Sequence, residues 1–322
     1  MAPAWLRRSL RALWRWRFAP LLAATAVVST LITCFIITRV KHRYTGGLDW
    51  PYFSDMGRDP PSYYVFGVGL SLTAIAIAMT WMFNFIYHRW RLRSLHAGRI
   101  SICASYAVLI IGVLSTIGLP VLSWCSTTEC PTWHDVGTMW FFLLEVLAIL
   151  INTSLSYWIW RSLKQEANTS SAYRRFDGLS EPPSKGTVQS VKRAFLWQLM
   201  CALLLVAVVI VYIPVGLTVA GNTPRLTIAQ CLERDLGETY CTQTMRLNDK
   251  ETTLWNYETQ RSANQARAAC QLVAMLSLVG YSLSFLFHEY DVIINHARPL
   301  AEPAPAPSPS PTHTLSLSPS YA

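Results

Sequence analysis

Charge is what this chain is shortest of. Asp, Glu, Lys and Arg make up 14% of its 322 residues, against 52% for apolar side chains. An ordinary soluble domain carries about a quarter charged residues, so that class is excluded. Catalytic signatures are missing as well. The chain has no phosphate-cradling glycine loop, no dinucleotide fingerprint, no Ser/His/Asp arrangement and no Cys/His cluster at zinc spacing, so no metal or cofactor is expected. The alternating pattern of a membrane β-barrel is absent, as are the internal repeats and multiple intramembrane charges of a transporter. Acidic residues are scarcest, 18 against 27 Lys and Arg, for a net charge of +9. That excess hugs the ends of apolar segments and belongs to no recognition fold, so nucleic acid is not an expected partner.

Six apolar runs are present, each about long enough to cross the ~30 Å hydrocarbon layer. They lie at 18–38, 63–87, 100–124, 136–160, 195–219 and 268–287. In lipid every backbone polar group needs an internal partner, so the runs predict helices and an all-α polytopic bundle over 18–295. The first run follows Arg7, Arg8, Arg11, Arg15 and Arg17 as a signal peptide would, but continues to Thr38 without a cleavage boundary, and reads as a signal anchor. Within 1–17, Trp5, Leu6, Leu10, Leu13 and Trp14 recur at helical spacing opposite the arginines. That suits an interfacial amphipathic helix or a plain topology anchor.

Basic residues set the orientation. Arg89, Arg91, Arg93 and Arg99 fill the second loop, and Arg161, Lys164, Arg174, Arg175, Lys185, Lys192 and Arg193 the fourth. These loops and both termini are expected in the cytosol, against the minor counter-signal of Arg39, Lys41 and Arg43. Membrane lipids are the expected partners, anionic inner-leaflet lipids among them. The Pro/Ser-rich tail at 296–322 cannot bury a core and reads as disordered, either a solvated tail or a docking strip for cytosolic proteins. Tyr173-Arg-Arg-Phe176 and Tyr290-Asp-Val-Ile293 have the form of sorting signals, and Asn168-Thr-Ser170 is a sequon in a loop placed on the cytosolic side.

Cys125 and Cys130 share the third loop, and Cys231 and Cys241 the fifth, both placed outside the cytosol. Oxidising surroundings permit disulfides there. Local Cys125–Cys130 and Cys231–Cys241 bridges are the simplest pairing, with bridges between the loops as the alternative. Cys34, Cys103, Cys201 and Cys270 fall in or beside apolar runs, as small buried thiols do.

The densest signature lies between the first two runs: Trp50-Pro51-Tyr52-Phe53-Ser54-Asp55-Met56-Gly57-Arg58-Asp59-Pro60-Pro61. Ser54-Asp55 before Gly57 predicts a compact turn, with Gly57 free to take positive φ. Asp55 is therefore either part of a folded cap or a ligand or proton-titrating group, with His134 at the mouth of the fourth run as partner. Glu145 is the ionisable residue deep in a run and must face protein or water. Thr138, Glu145 and Asn152 stand seven apart and place a polar stripe on one helix face. Glu145 either hydrogen-bonds a neighbouring helix through Asn84, Gln198 or Gln271, or serves as a headgroup-binding or proton-relay carboxylate.

Six runs, a first non-cytosolic loop containing Pro51, Tyr52, Ser54, Asp55, Gly57, Pro60 and Pro61, and His134-Asp135-x-Gly137 entering the fourth run together carry a family likeness. The chain resembles the damage-regulated autophagy modulator (DRAM) family, whose superfamily takes in Sfk-type and Cwh-type proteins and a Golgi factor of GPI-anchor remodelling. Ser62 and Tyr63 stand where DRAM-type members commonly carry an acidic residue. The resemblance implies a multi-pass protein of lysosome, other endomembrane or plasma membrane. It would act without catalysis in autophagy, lysosomal function or membrane-lipid organisation. The alternative is a GPI-remodelling or other intramembrane lipid-modifying enzyme using Asp55, His134 and Glu145.

Overall fold

A computed structural model of the chain describes residues 18–173, 185–220 and 223–288. The expectations for 1–17, for the tail and for the Tyr290 signal fall outside the described residues, as does most of the Tyr173 signal. Helix α1 is Ala19–Val40, α3 Ser62–Ser94, α4 Arg99–Ser115, α6 Pro131–Tyr173, α7 Lys185–Ala220 and α9 Arg261–Ser284, while the short α2 (Phe53–Met56), α5 (Gly118–Trp124) and α8 (Ile228–Glu233) lie between them. Among the described residues six helical segments are long and apolar enough to cross a membrane, the third formed by α4 and α5 together. The chain is a multi-pass membrane protein.

Several helices overrun the apolar segments. Helix α6 has 43 residues, about 65 Å at ~1.5 Å per residue, twice the hydrocarbon thickness. Its extension holds Arg161, Lys164, Gln165 and Glu166, good helix formers that need no apolar partner. The Asn168 sequon therefore begins in helix, where the sequence suggested a loop. The third span is interrupted at Thr116–Ile117, between α4 and α5. Pro120 lacks an N–H and its ring crowds the carbonyl four residues back, at Thr116.

Neighbours in sequence are neighbours in space: α1 packs on α3, α3 on α4, α4 on α6, α6 on α7, α7 on α9, and α9 closes the ring on α1. The seam between α5 and α6 is unusually close. A Cβ on Gly118 would lie 2.4 Å from the Gly137 carbonyl oxygen, and one on Gly137 would lie 2.8 Å from the Leu122 nitrogen. Small residues let membrane helices approach backbone to backbone, which explains glycine at position 137.

At one end of the ring sits a cap that departs from the all-α pattern. Strand β1 (Arg225–Thr227) pairs antiparallel with β2 (Glu251–Trp255), Arg225 opposite Trp255. Thr227 and Gln230 form a capping box that starts α8. The Cys231–Cys241 disulfide lies in a small core with Tyr44, Leu226, Met245 and Leu254. The Gly46-Gly47 turn, at φ +78° and +77°, presses on the Tyr257 ring and the Glu258 side chain and lets the Gly46 carbonyl accept from the Tyr257 amide at 3.2 Å.

The expected Cys125–Cys130 bridge is not formed, and both are free thiols. Hydrogen bonds close that turn instead: the Cys130 amide donates to the Ser126 carbonyl at 3.2 Å and the Glu129 amide to the Ser126 hydroxyl at 3.0 Å. Burial raises the Cys125 thiol pKa, aided by the adjacent Cys130 thiol.

Candidate functional site

Most of the Trp50–Pro61 segment is folded into the interior: Pro51 to Asp59 are buried apart from half-buried Ser54, while Pro60 and Pro61 are exposed. Helix α2 sends Phe53 and Met56 into the bundle core. Its backbone is stitched to α9 and α1: the Phe53 amide donates to Gln271 Oε1 at 3.2 Å, and the Thr38 hydroxyl to the Met56 carbonyl at 3.2 Å. The Tyr52 hydroxyl donates to Asn264 Oδ1 at 3.2 Å. Gly57 ends α2 at φ −91°, not in the positive region. Its glycine is needed for space, since a Cβ would lie 2.3 Å from the Phe66 ring.

Two residues of the signature whose roles were not foreseen, Arg58 and Asp59, form the centre of an ionic cluster. Arg58 donates to both Asp59 oxygens at 3.2 and 3.1 Å and to the Tyr44 carbonyl at 2.7 Å, with Asp55 Oδ1 3.6 Å from its third nitrogen. The Tyr240 hydroxyl, one residue from the disulfide, donates to Asp59 Oδ2 at 2.8 Å. All three charged groups are buried. Burial pushes the Asp55 carboxyl above its usual range, while Arg58, Tyr257 and His134 pull against it. Burial also opposes the Arg58 charge, but Asp59, Tyr240 and Asp55 outweigh it and hold the guanidinium ionised. No oxygen of Asp55 makes a short hydrogen bond to the Arg58 fork.

His134 opens α6 near this cluster, close enough to stabilise the Asp55 carboxylate. Its Nδ1–H donates to the carbonyls of Leu122 at 2.7 Å and Cys125 at 2.9 Å, so the ring ties α5 to α6. Asp55 and His134 thus share the cap end. Glu145 does not join them: eleven residues beyond His134 on α6, it is ~16 Å further along the helix. Its carboxyl accepts from Trp81 Nε1 at 3.2 Å and contacts the Ser115 hydroxyl, so α3 and α4 supply its partners. None of the side chains expected there hydrogen-bonds Glu145. Asn84 donates to Asn152 Oδ1 at 2.6 Å, Asn152 to the Tyr281 hydroxyl at 2.8 Å, Gln271 holds Phe53, and the buried Gln198 amide bonds neither end. The Glu145 and Asn152 part of the stripe therefore faces the bundle interior, both residues being buried.

A cavity of about 380 Å³ opens between α6, α7, α9 and the cap hairpin. Its lining includes Ser54, His134, Asp135, Thr138, Tyr212 and Arg267. The Arg267 guanidinium lies over the Tyr212 ring at 4.5 Å and near the Tyr52 ring at 5.9 Å. A Cβ on Gly216 would meet it at 2.9 Å. Its Nε has no hydrogen-bond partner, and among the described residues no carboxylate lies within salt-bridge distance of it. A lone Arg in an uncharged stretch of α9 is a visible signal in sequence, but its pairing with Gly216 and Tyr212 is not. Among the described residues no group of His, Cys, Asp and Glu could hold a metal ion.

The chain is 30% identical over 110 residues to the DNA damage-regulated autophagy modulator protein 1 of Xenopus laevis, a match covering 33% of this chain and 44% of that protein. It therefore spans less than half the length of this curated relative. No solved structure matches the chain. The family model described as the Frag1/DRAM/Sfk1/Cwh43P N-terminal domain matches residues 15–291, from just before α1 to just past α9, and the chain belongs to that family.

Proposed function

We propose that this protein is a non-enzymatic organiser of membrane lipid, acting in autophagy and lysosomal function, with the cap outside the cytosol and both termini inside it. The observation that carries the reading is how the signature residues are used. Asp55, Arg58 and Asp59 are buried against one another, and His134 Nδ1 is committed to two carbonyls, so these groups hold the shape of the cap. An enzyme reading needs Asp55, His134 and Glu145 at one substrate, and the ~16 Å of helix between the last two works against it. Family membership and the autophagy modulator relative support the cellular role. The basic loops at the end opposite the cap support the orientation.

Deleting the gene and measuring autophagic flux, lysosomal lipid composition and the location of a tagged protein tests the proposal. Reduced flux with redistributed lipid, and a tag at the C-terminus reachable only from the cytosol, are the expected results. Unaltered flux and lipid distribution would refute it, and accumulation of one unprocessed lipid species would transfer the case to an enzyme.

A further inference from the structure

We infer that the cavity between α6, α7 and α9 binds one zwitterionic phospholipid of the cap-side leaflet, its phosphate on Arg267 and its headgroup amine on Asp135. This rests on reading the protein as a lipid organiser and names the lipid class that the organiser would hold.

The site has the two halves that an amphiphile needs. Thr138, Met139, Tyr212, Ile213 and Gln271 line both the polar cavity and a narrow slot directly adjoining it. The slot wall is otherwise apolar, built from such residues as Phe142, Leu143 and Val208. Leu143 and Met139 on its rim are exposed on the membrane-facing surface of the bundle, so an acyl chain can enter sideways from the hydrocarbon. The polar half then falls at headgroup level. The final span covers 31 residues, Tyr257 to Phe287, about 46 Å of helix against ~30 Å of hydrocarbon. Arg267, ten residues in, stands near the boundary, where an Arg can rest its stem on apolar surface and present its charge to phosphate.

Charge complementarity selects the headgroup. Arg267 has an unpartnered Nε and is packed between Tyr212, Tyr52 and the Cβ-free face of Gly216, which fixes the guanidinium plane. Asp135 is exposed at the same cavity, close enough to act on Tyr212, as Arg267 also does, yet it makes no ion pair with Arg267. One cation and one anion that both act on Tyr212 without pairing with each other fit a headgroup carrying both signs. They fit a purely anionic headgroup less well, because its glycerol or inositol would face the Asp135 carboxylate.

The test uses the purified full-length protein in detergent, with phosphatidylethanolamine or phosphatidylglycerol of identical acyl chains added and retained lipid read by native mass spectrometry. Phosphatidylethanolamine should be retained preferentially. Arg267→Gln should weaken that retention by about tenfold or more, the loss expected for a charge-assisted hydrogen bond. Gly216→Leu, which leaves Arg267 in place but fills its packing face, should do the same, while Arg267→Lys should retain part of the binding. Asp135→Asn should erase the preference between the two lipids. Glycerophosphoethanolamine and inorganic phosphate should displace the lipid only weakly. Strong displacement by either would mean a soluble phosphate site and overturn the lipid assignment. Equal retention of both lipids by the unaltered protein, or undiminished retention by both Arg267→Gln and Gly216→Leu, would overturn the site and leave the organiser role standing. Binding as expected beside an unchanged cellular lipid distribution on gene deletion would instead refute the organiser role.

Discussion

At the scale of single residues, three buried charged side chains at the cap, Asp55, Arg58 and Asp59, are packed against one another. Arg58 has partners on every side, from Asp59, Asp55, the Tyr44 carbonyl and the Tyr240 hydroxyl. Removing one member of a buried ion pair strands the other, a cost of about 3–5 kcal/mol, so Arg58→Met should lower the thermal transition of the detergent-solubilised protein sharply. Asp55 gives the cluster a pH dependence. Its folded pKa lies above that of the unfolded chain, so between the two values the folded state holds more of the proton, and stability falls as pH rises through that window. The cap should accordingly become more stable as pH drops from neutrality towards the ordinary carboxyl value of ~4, by at most ~1.4 kcal/mol per pH unit for one group. Asp55→Asn should flatten the slope, and a melting series across that range reads it directly. Glu145 poses a question of hydrogen bonding. The Ser115 hydroxyl faces both the carboxyl and the Gly112 carbonyl at 2.8 Å, and one hydroxyl proton cannot serve both. A carboxylic acid donating to Ser115 resolves the count, and an amide can do likewise. Glu145→Gln should therefore preserve stability, while Glu145→Ala should cost about 1–3 kcal/mol by orphaning Trp81 Nε1. Thermal melting of the two variants side by side distinguishes these outcomes.

At the scale of elements, the close seam between α5 and α6 governs where His134 can stand. Pro120 ends the α4 segment early, and Gly118 then meets Gly137 with no Cβ between them. His134 bridges the same two helices through the Leu122 and Cys125 carbonyls. A methyl group added at Gly118 would strike backbone, which cannot rotate away. Gly118→Ala should destabilise by about 1–3 kcal/mol, whereas the same change at Gly98, with nothing within 4 Å of its would-be Cβ, should be nearly silent. Comparing detergent melting temperatures of the two variants isolates the packing effect.

At the scale of the whole molecule, a ring of six helices carries one structured cap, and the cap is assembled from distant parts of the chain. The segment after α1, the hairpin before α9 and the start of α6 meet there through Arg58, Tyr240, Tyr257 and His134. The Cys231–Cys241 bridge closes a separation of ten residues inside the hairpin lobe. Replacing both cysteines with Ala should cost roughly 2–4 kcal/mol. Hydrogen exchange should register that loss in 225–257 and in the Arg58 contacts, leaving the protection of α3 and α6 within the membrane unchanged.

The sequence by itself determined the six spans and the inward face of Glu145 and Asn152, because hydrocarbon leaves a polar or apolar residue few places to go, whereas it offered the Cys231–Cys241 bridge only as the simplest of several pairings. It also marked Trp50–Pro61 and Gly137 as special without disclosing why. Only the tertiary structure decided that Gly57 and Gly137 serve close packing, that Arg58 and Asp59 centre the cap, and that Trp81 and Ser115 receive Glu145. It alone set Arg267 against Gly216 and Tyr212. Periodicity and transfer energy act along the chain and can be read from it. A close approach such as Gly118 on Gly137, or a buried contact such as the Tyr240 hydroxyl on Asp59, joins residues tens to hundreds of positions apart, and its partners are fixed only when the ring of helices closes.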